Sequence, residues 1–232
     1  MRKTIPISIS ASVVVAVGHS HAQNFEFLDT SPDGDLNSTF RILVADNAAD
    51  TMERQDSRPD DQNSSVSGFG SFAATTATNN LVRVEAAWDG TPTSLGDQGL
   101  AGGFTQQFFT VDRPGTLRFS WDLEGTDFAN NGILTPPGFP QNGSLAALFV
   151  YDDSTPPRDA DFVELIDTDN PTGVIEADVV PGNIYGMQLE VGFALHFEPG
   201  KTSFVQAELI PAPGVGALFG IAGIAVARRR RR

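Results

Sequence analysis

Cysteine is absent from this 232-residue chain, which excludes disulfide scaffolds, thiolate metal sites, iron–sulfur clusters and cysteine nucleophiles. Histidine is almost absent as well: of three, His196 alone lies beyond residue 22. A histidine metal cluster is therefore excluded, and Ser-His-Asp chemistry would rest on one imidazole. No Gly-x-Ser-x-Gly elbow and no P-loop pattern accompanies it. Positive charge is missing from the body. Arg2, Lys3 and the five terminal arginines take seven of the 15 basic residues, all 29 acids lie between them, and residues 23–210 carry a net −21. A body so acidic repels phosphate backbones, which excludes nucleic acid as a partner. Also missing between residues 23 and 210 is any sustained 3.6-residue apolar repeat.

What recurs instead is alternation. Leu117, Phe119, Trp121 and Leu123 alternate with Arg118, Ser120, Asp122 and Glu124; Val82, Val84, Ala86 and Trp88 alternate with Arg83, Glu85 and Ala87. The longest such run sets Tyr185, Met187, Leu189, Val191, Phe193 and Leu195 against Gly186, Gln188, Glu190, Gly192, Ala194 and His196. One face toward a core and one toward water is the pattern of antiparallel sheets. Residues 145–151 are apolar on both faces and read as an interior strand. Ten strands are expected: 24–28, 39–44, 81–88, 104–111, 116–124, 144–151, 162–167, 174–180, 183–196 and 202–210. Pro114-Gly115, Pro181-Gly182 and Pro199-Gly200 each suit a type II turn between strands, proline presetting φ and glycine accepting positive φ. The expected fold is all-β, an antiparallel, jelly-roll-like β-sandwich over residues 23–210. Residues 45–80, 89–103 and 126–143 read as long loops, with a short helix near residues 48–54.

Both ends read as addresses. Arg2 and Lys3, an apolar stretch over residues 5–17, and Ser20-His21-Ala22 make a secretory signal over residues 1–22, cut by signal peptidase after Ala22. At the other end, Ile210-Pro211-Ala212-Pro213-Gly214 is expected to break the last strand. An uncharged apolar segment follows to Ala227, then Arg228, Arg229, Arg230, Arg231 and Arg232. As a helix, residues 214–227 span roughly 21 Å against a hydrocarbon core of about 30 Å. So short a span suits transient residence in the membrane, with the arginines as a cytoplasmic stop; a permanent stop-transfer anchor is the alternative.

The Pro-x-Pro motif, short Gly/Ala-rich helix and arginine cluster together resemble the PEP-CTERM sorting signal of bacterial proteins handled by exosortase, over residues 211–232. Ala212 stands where that motif usually carries Glu. The resemblance implies export, membrane retention, processing near residues 211–213 by an exosortase-type enzyme, and delivery to the cell envelope, cell surface or extracellular matrix.

Chemistry in the body is sparse. His196, on the polar face by alternation, is expected to be an exposed strand residue. Gly68-x-Gly70-x-x-Ala73 matches half a dinucleotide fingerprint but follows a polar stretch, so it is read as chance. No cofactor is expected, although calcium would find oxygen donors at Asp29, Asp33, Asp35 and Asn37, at Asp152, Asp153, Asp159 and Asp161, or at Asp167, Asp169 and Asn170. The first group fails as an EF-hand because Ser38 and Val44 occupy its glycine and glutamate positions. Trp88 and Trp121 fall on core faces; Phe69, Phe72 and Phe139, in expected loops, are the aromatics placed to meet a sugar. The expected function is a non-enzymatic structural or adhesive one at the surface, with extracellular polysaccharide as a candidate partner. A carbohydrate- or calcium-binding module and, more distantly, a surface hydrolase are the alternatives.

Overall fold

The computed structural model describes residues 24–46, 50–56, 63–94, 96–127, 144–151, 159–167, 169–196 and 198–211. These fall in one compact unit, Gln23–Ala212. The expected secretory signal with Ala22, the segment from Ala212 onward with Pro213, Gly214 and the five arginines, and Asp152, Asp153 and Phe139 lie outside the described residues.

The described residues form fourteen strands and no helix. In chain order they are β1 (Phe25–Leu28), β2 (Thr39–Ala45), β3 (Thr51–Asp56), β4 (Ser64–Gly68), β5 (Ser71–Ala77), β6 (Leu81–Trp88) and β7 (Gly99–Val111), then β8 (Gly115–Asp122), β9 (Thr126–Asp127), β10 (Ser144–Tyr151), β11 (Asp159–Ile166), β12 (Thr172–Val179), β13 (Ile184–His196) and β14 (Thr202–Pro211). Two antiparallel sheets result. One has the order β11-β10-β13-β7-β2-β3, with β1 also on β7 and β9 also on β13. The other has the order β12-β8-β14-β6-β5-β4. The described residues fold as a β-sandwich.

Alternation explains the core. Val82, Val84, Ala86 and Trp88 of β6, Leu117, Phe119 and Trp121 of β8, and Val205, Ala207 and Leu209 of β14 all point inward and are buried. They meet Phe40, Ile42 and Val44 of β2, Phe109 and Val111 of β7, and Tyr185, Met187, Leu189 and Val191 of β13. Both tryptophans are buried, and each has its indole N–H satisfied: Trp88 donates to the Thr91 carbonyl at 2.9 Å and Trp121 to that of Asn170 at 2.9 Å. Glycine makes room for each ring. A Cβ at Gly99 would lie 2.2 Å from Trp88, and one at Gly173 would lie 2.1 Å from Trp121.

All ten expected strands are present, but the three expected loops are not as read: of 126–143, Thr126–Asp127 form β9 and the rest lies outside the described residues. Residues 45–80 contain β3, β4 and β5, so the helix expected near residues 48–54 is overturned where it is described: Thr51–Asp56 pairs with β2 as a strand. Alternation was invisible in β4 and β5 because Ser, Ala and Thr carry little contrast between faces, yet Ala73 and Thr75 are buried. The stretch 89–103 is also shorter as a loop, since β7 begins at Gly99. Gly182 and Gly200 adopt positive φ of 93° and 77° in the Pro-Gly turns as expected. Gly115 does not; it is the first, buried residue of β8.

Two local devices depart from regular pairing. Between Val191↔Gly103 and Ala194↔Ala101, β13 spends two residues, Gly192 and Phe193, against one on β7. This is a β-bulge, which reverses the alternation of everything after it. The Gly192 amide, taken out of the ladder, donates to Ser144 Oγ at 2.8 Å. Second, β14 does not stop before the prolines: Ile210 pairs with Thr116 and Pro211 with Gly115. Pro211 lacks an N–H, but here β14 has β8 alone beside it, because its pairing with β6 ends at Glu208↔Leu81.

Candidate functional site

The bulge separates Glu190 from His196 on β13 and decides which way the histidine faces. His196 sits past it, opposite Gly99 and Thr126, and faces inward instead of outward. It is 2 % exposed, with Nε2 at 3.3 Å from the Ala101 carbonyl. The expectation of an exposed strand histidine is therefore wrong, and the reason is the register shift. Burial pushes its pKa down from 6.5 to about 4, the Ala101 contact opposing only in part. A neutral imidazole sealed from solvent cannot meet a substrate.

Glu190, before the bulge, does face the outer side of its sheet, between Leu145 of β10 and Phe104 of β7. It too is buried, at 1 % exposure, and Oε1 has no hydrogen-bond partner. Desolvation raises its pKa from 4.5 to about 8. Arg41, one strand beyond Phe104, is engaged with Glu53 at 2.5 Å.

The acids read as oxygen donors for calcium are distributed as follows. Asp33 lies in the β1–β2 turn, where its Oδ1 accepts from Ser31 Oγ and from the Asp35 amide. Asp167 Oδ1 accepts from the Asp169 amide, and the Asn170 side chain bonds Asp167, Glu164 and Leu165. Asn170 thus staples the β11–β12 turn to Trp121. Asp161 is exposed on β11, and Asp159 pairs with Val150 in the same strand pair. Among the described residues no group of three acids or histidines gathers around a common point.

One concavity stands out. At the end of the sandwich where β4, β6 and β13 finish, an open cleft of about 310 Å³ is lined by Ser67, Gly68, Gly70, Ser71, Phe72, Ala87, Trp88, Asp89 and Gly200. Three turns build it. The β4–β5 hairpin turns through Phe69 and Gly70, with φ of 53° and 69°. Both central residues at positive φ make the I′ geometry that suits a two-residue hairpin. Phe69 is a costly residue there, but its ring packs against the core. The half dinucleotide fingerprint is this hairpin. The β6–β7 turn is tied to it by Asp89 N donating to the Gly70 carbonyl at 2.8 Å, and the β13–β14 turn by Gly200 N donating to the Trp88 carbonyl at 2.7 Å. Asp89 accepts from the Thr91 amide at 2.7 Å. Hydrogen bonds from Thr91, its side chain first, hold the Asp89 carboxyl below the usual range. Phe72 and Ala87 are cross-strand partners and only half-buried, and Ser67 opposes Phe72 from β4. Of the aromatics singled out in sequence, Phe72 is therefore in the cleft, while Phe69 shapes its hairpin.

No family model and no curated protein matches this chain. Among solved structures, a GH31 alpha-xylosidase from Xanthomonas citri aligns at 11% identity with a TM-score of 0.24. The alignment covers 82% of this chain and 18% of that enzyme. A likeness this slight carries no inference about fold or chemistry.

Proposed function

We propose that this protein is an exported, non-catalytic β-sandwich with a structural or adhesive role, delivered to the cell envelope, surface or extracellular matrix by a PEP-CTERM-like signal. The observation that carries the reading is the C-terminal sequence: Pro211-Ala212-Pro213, an uncharged segment too brief to span a membrane comfortably, and five arginines. Its folded context supports it. The last strand β14, interior to its sheet along most of its length, runs without a linker into that motif. A domain held by this end is therefore held through a strand paired on both sides from Phe204 to Glu208. The internal His196, which has no access to substrate, supports a non-catalytic reading. Within the sandwich, the strands from β6 onward (the two-residue β9 aside) fall into the sets β6-β14-β8-β12 and β7-β13-β10-β11. That interleaving of two four-stranded sheets supports the jelly-roll class, with β1 to β5 as additions at the β7 and β6 edges.

Mass spectrometry of the protein recovered from cells tests this directly. The expected mature form lacks the peptide carrying Arg228 to Arg232 and begins after Ala22. Recovery of the arginine peptide in the mature protein refutes processing.

A further inference from the structure

An adhesive domain needs a face for its ligand, and the direction of β14 says where that face lies. From Thr202 to Pro211 the strand covers about 30 Å at the usual antiparallel rise. β14 ends at Pro211, whereas Gly200, Asp89 and the Phe69-Gly70 turn close the other end of the sheet. A domain held at its C-terminal end, before or after processing, therefore has the cleft at the opposite end of β14.

The cleft's chemistry narrows the ligand. Its floor is apolar, a half-buried Phe72 ring beside Ala87, and its rim carries the Ser67 hydroxyl and the Asp89 carboxylate. The β6–β7 and β13–β14 connections also carry the exposed Asp97 and Glu198, the latter beside Gly125, while Lys201 is committed to Asp122 and Glu124 at 3.6 and 3.3 Å. Anionic ligands are repelled by such a rim. A flat C–H face for the aromatic floor and hydroxyl donors for the carboxylate are the two faces of a neutral pyranose. The volume sits at the small end of ligand pockets, roughly 300–1,000 Å³, and suits a short stretch of a longer chain. We infer that this cleft binds neutral polysaccharide, a pyranose face lying on Phe72 and Ala87 with its hydroxyls meeting Ser67 and Asp89. The inference deepens the adhesive reading and rests on it for the exposure of this end.

Affinity electrophoresis of the full chain in gels containing dextran, mannan or galactan, with polygalacturonate as the anionic comparison, tests it. At least one neutral polymer should retard the protein and polygalacturonate should not. Phe72→Ala and Asp89→Asn should each weaken retardation about tenfold. Ser67→Trp, which fills the cleft from an exposed position, should abolish it with an unchanged melting temperature. No retardation by any neutral polymer, equal retardation of all three variants, or preference for polygalacturonate overturns the inference. An unprocessed arginine tail would overturn the sorting reading while leaving these binding results as they stand.

Discussion

Replacing Glu190 with glutamine should convert a protein that weakens in alkali into one that does not. In the folded state the carboxyl titrates near 8, against 4.5 when unfolded. Its contribution is fully present below pH 4.5 and is lost as pH rises through 8. At 1.36 kcal/mol per pH unit the accumulated loss is about 5 kcal/mol, comparable with the whole stability of many domains. His196 works the other way. With a folded pKa near 4 against 6.5, its contribution is fully present above pH 6.5 and is lost as pH falls through 4. Between pH 4.5 and 6.5 the two slopes cancel, so stability should be flat there and fall by about 2 kcal/mol between pH 6.5 and 8. Glu190→Gln is neutral at every pH and removes the whole Glu190 slope, which leaves the rise from His196 uncancelled up to pH 6.5 and no fall above it. Urea unfolding followed by the fluorescence of the buried Trp88 and Trp121, at pH 4.5, 6.5 and 9 and constant ionic strength, measures the difference. The variant should match the wild type within about 1 kcal/mol at pH 4.5 and exceed it by several at pH 9, with 5 as the ceiling. General repulsion among the acids is common to both proteins and drops out of the comparison. An offset that is the same at all three pH values refutes the reasoning.

Two further substitutions test the packing devices by equilibrium unfolding. Ser144→Ala removes the acceptor of the Gly192 amide at the bulge and should cost about 1–3 kcal/mol; a neutral result means the bulge needs no cap. Gly99→Ala drives a methyl into Trp88 and should cost roughly 1–3 kcal/mol with a shift in tryptophan emission; unchanged emission contradicts the close approach.

Much of the sandwich could be read from residue order alone, because a strand buried on one face must alternate. Val82 to Trp88 and Leu117 to Trp121 show this: side-chain period and backbone period coincide, so the core face follows without knowledge of partners. Net charge, the absence of cysteine and a body with a single histidine likewise excluded whole classes of chemistry. The C-terminal reading also belongs to sequence, since hydrophobic length and flanking charge are local quantities.

Tertiary structure decided what depends on a neighbouring strand. The bulge after Val191 is a mismatch between β13 and β7, so no property of β13 by itself could have turned His196 inward and Leu195 outward. Strands β4 and β5 have too little contrast in side-chain polarity to announce themselves; their hairpin exists because both residues of its turn adopt positive φ and because a sheet edge at β6 waits to be paired. The burial of Glu190 and the assembly of the cleft from three turns far apart in the chain have the same origin. Alternation assigns a residue to a face, but only packing determines whether that face meets water.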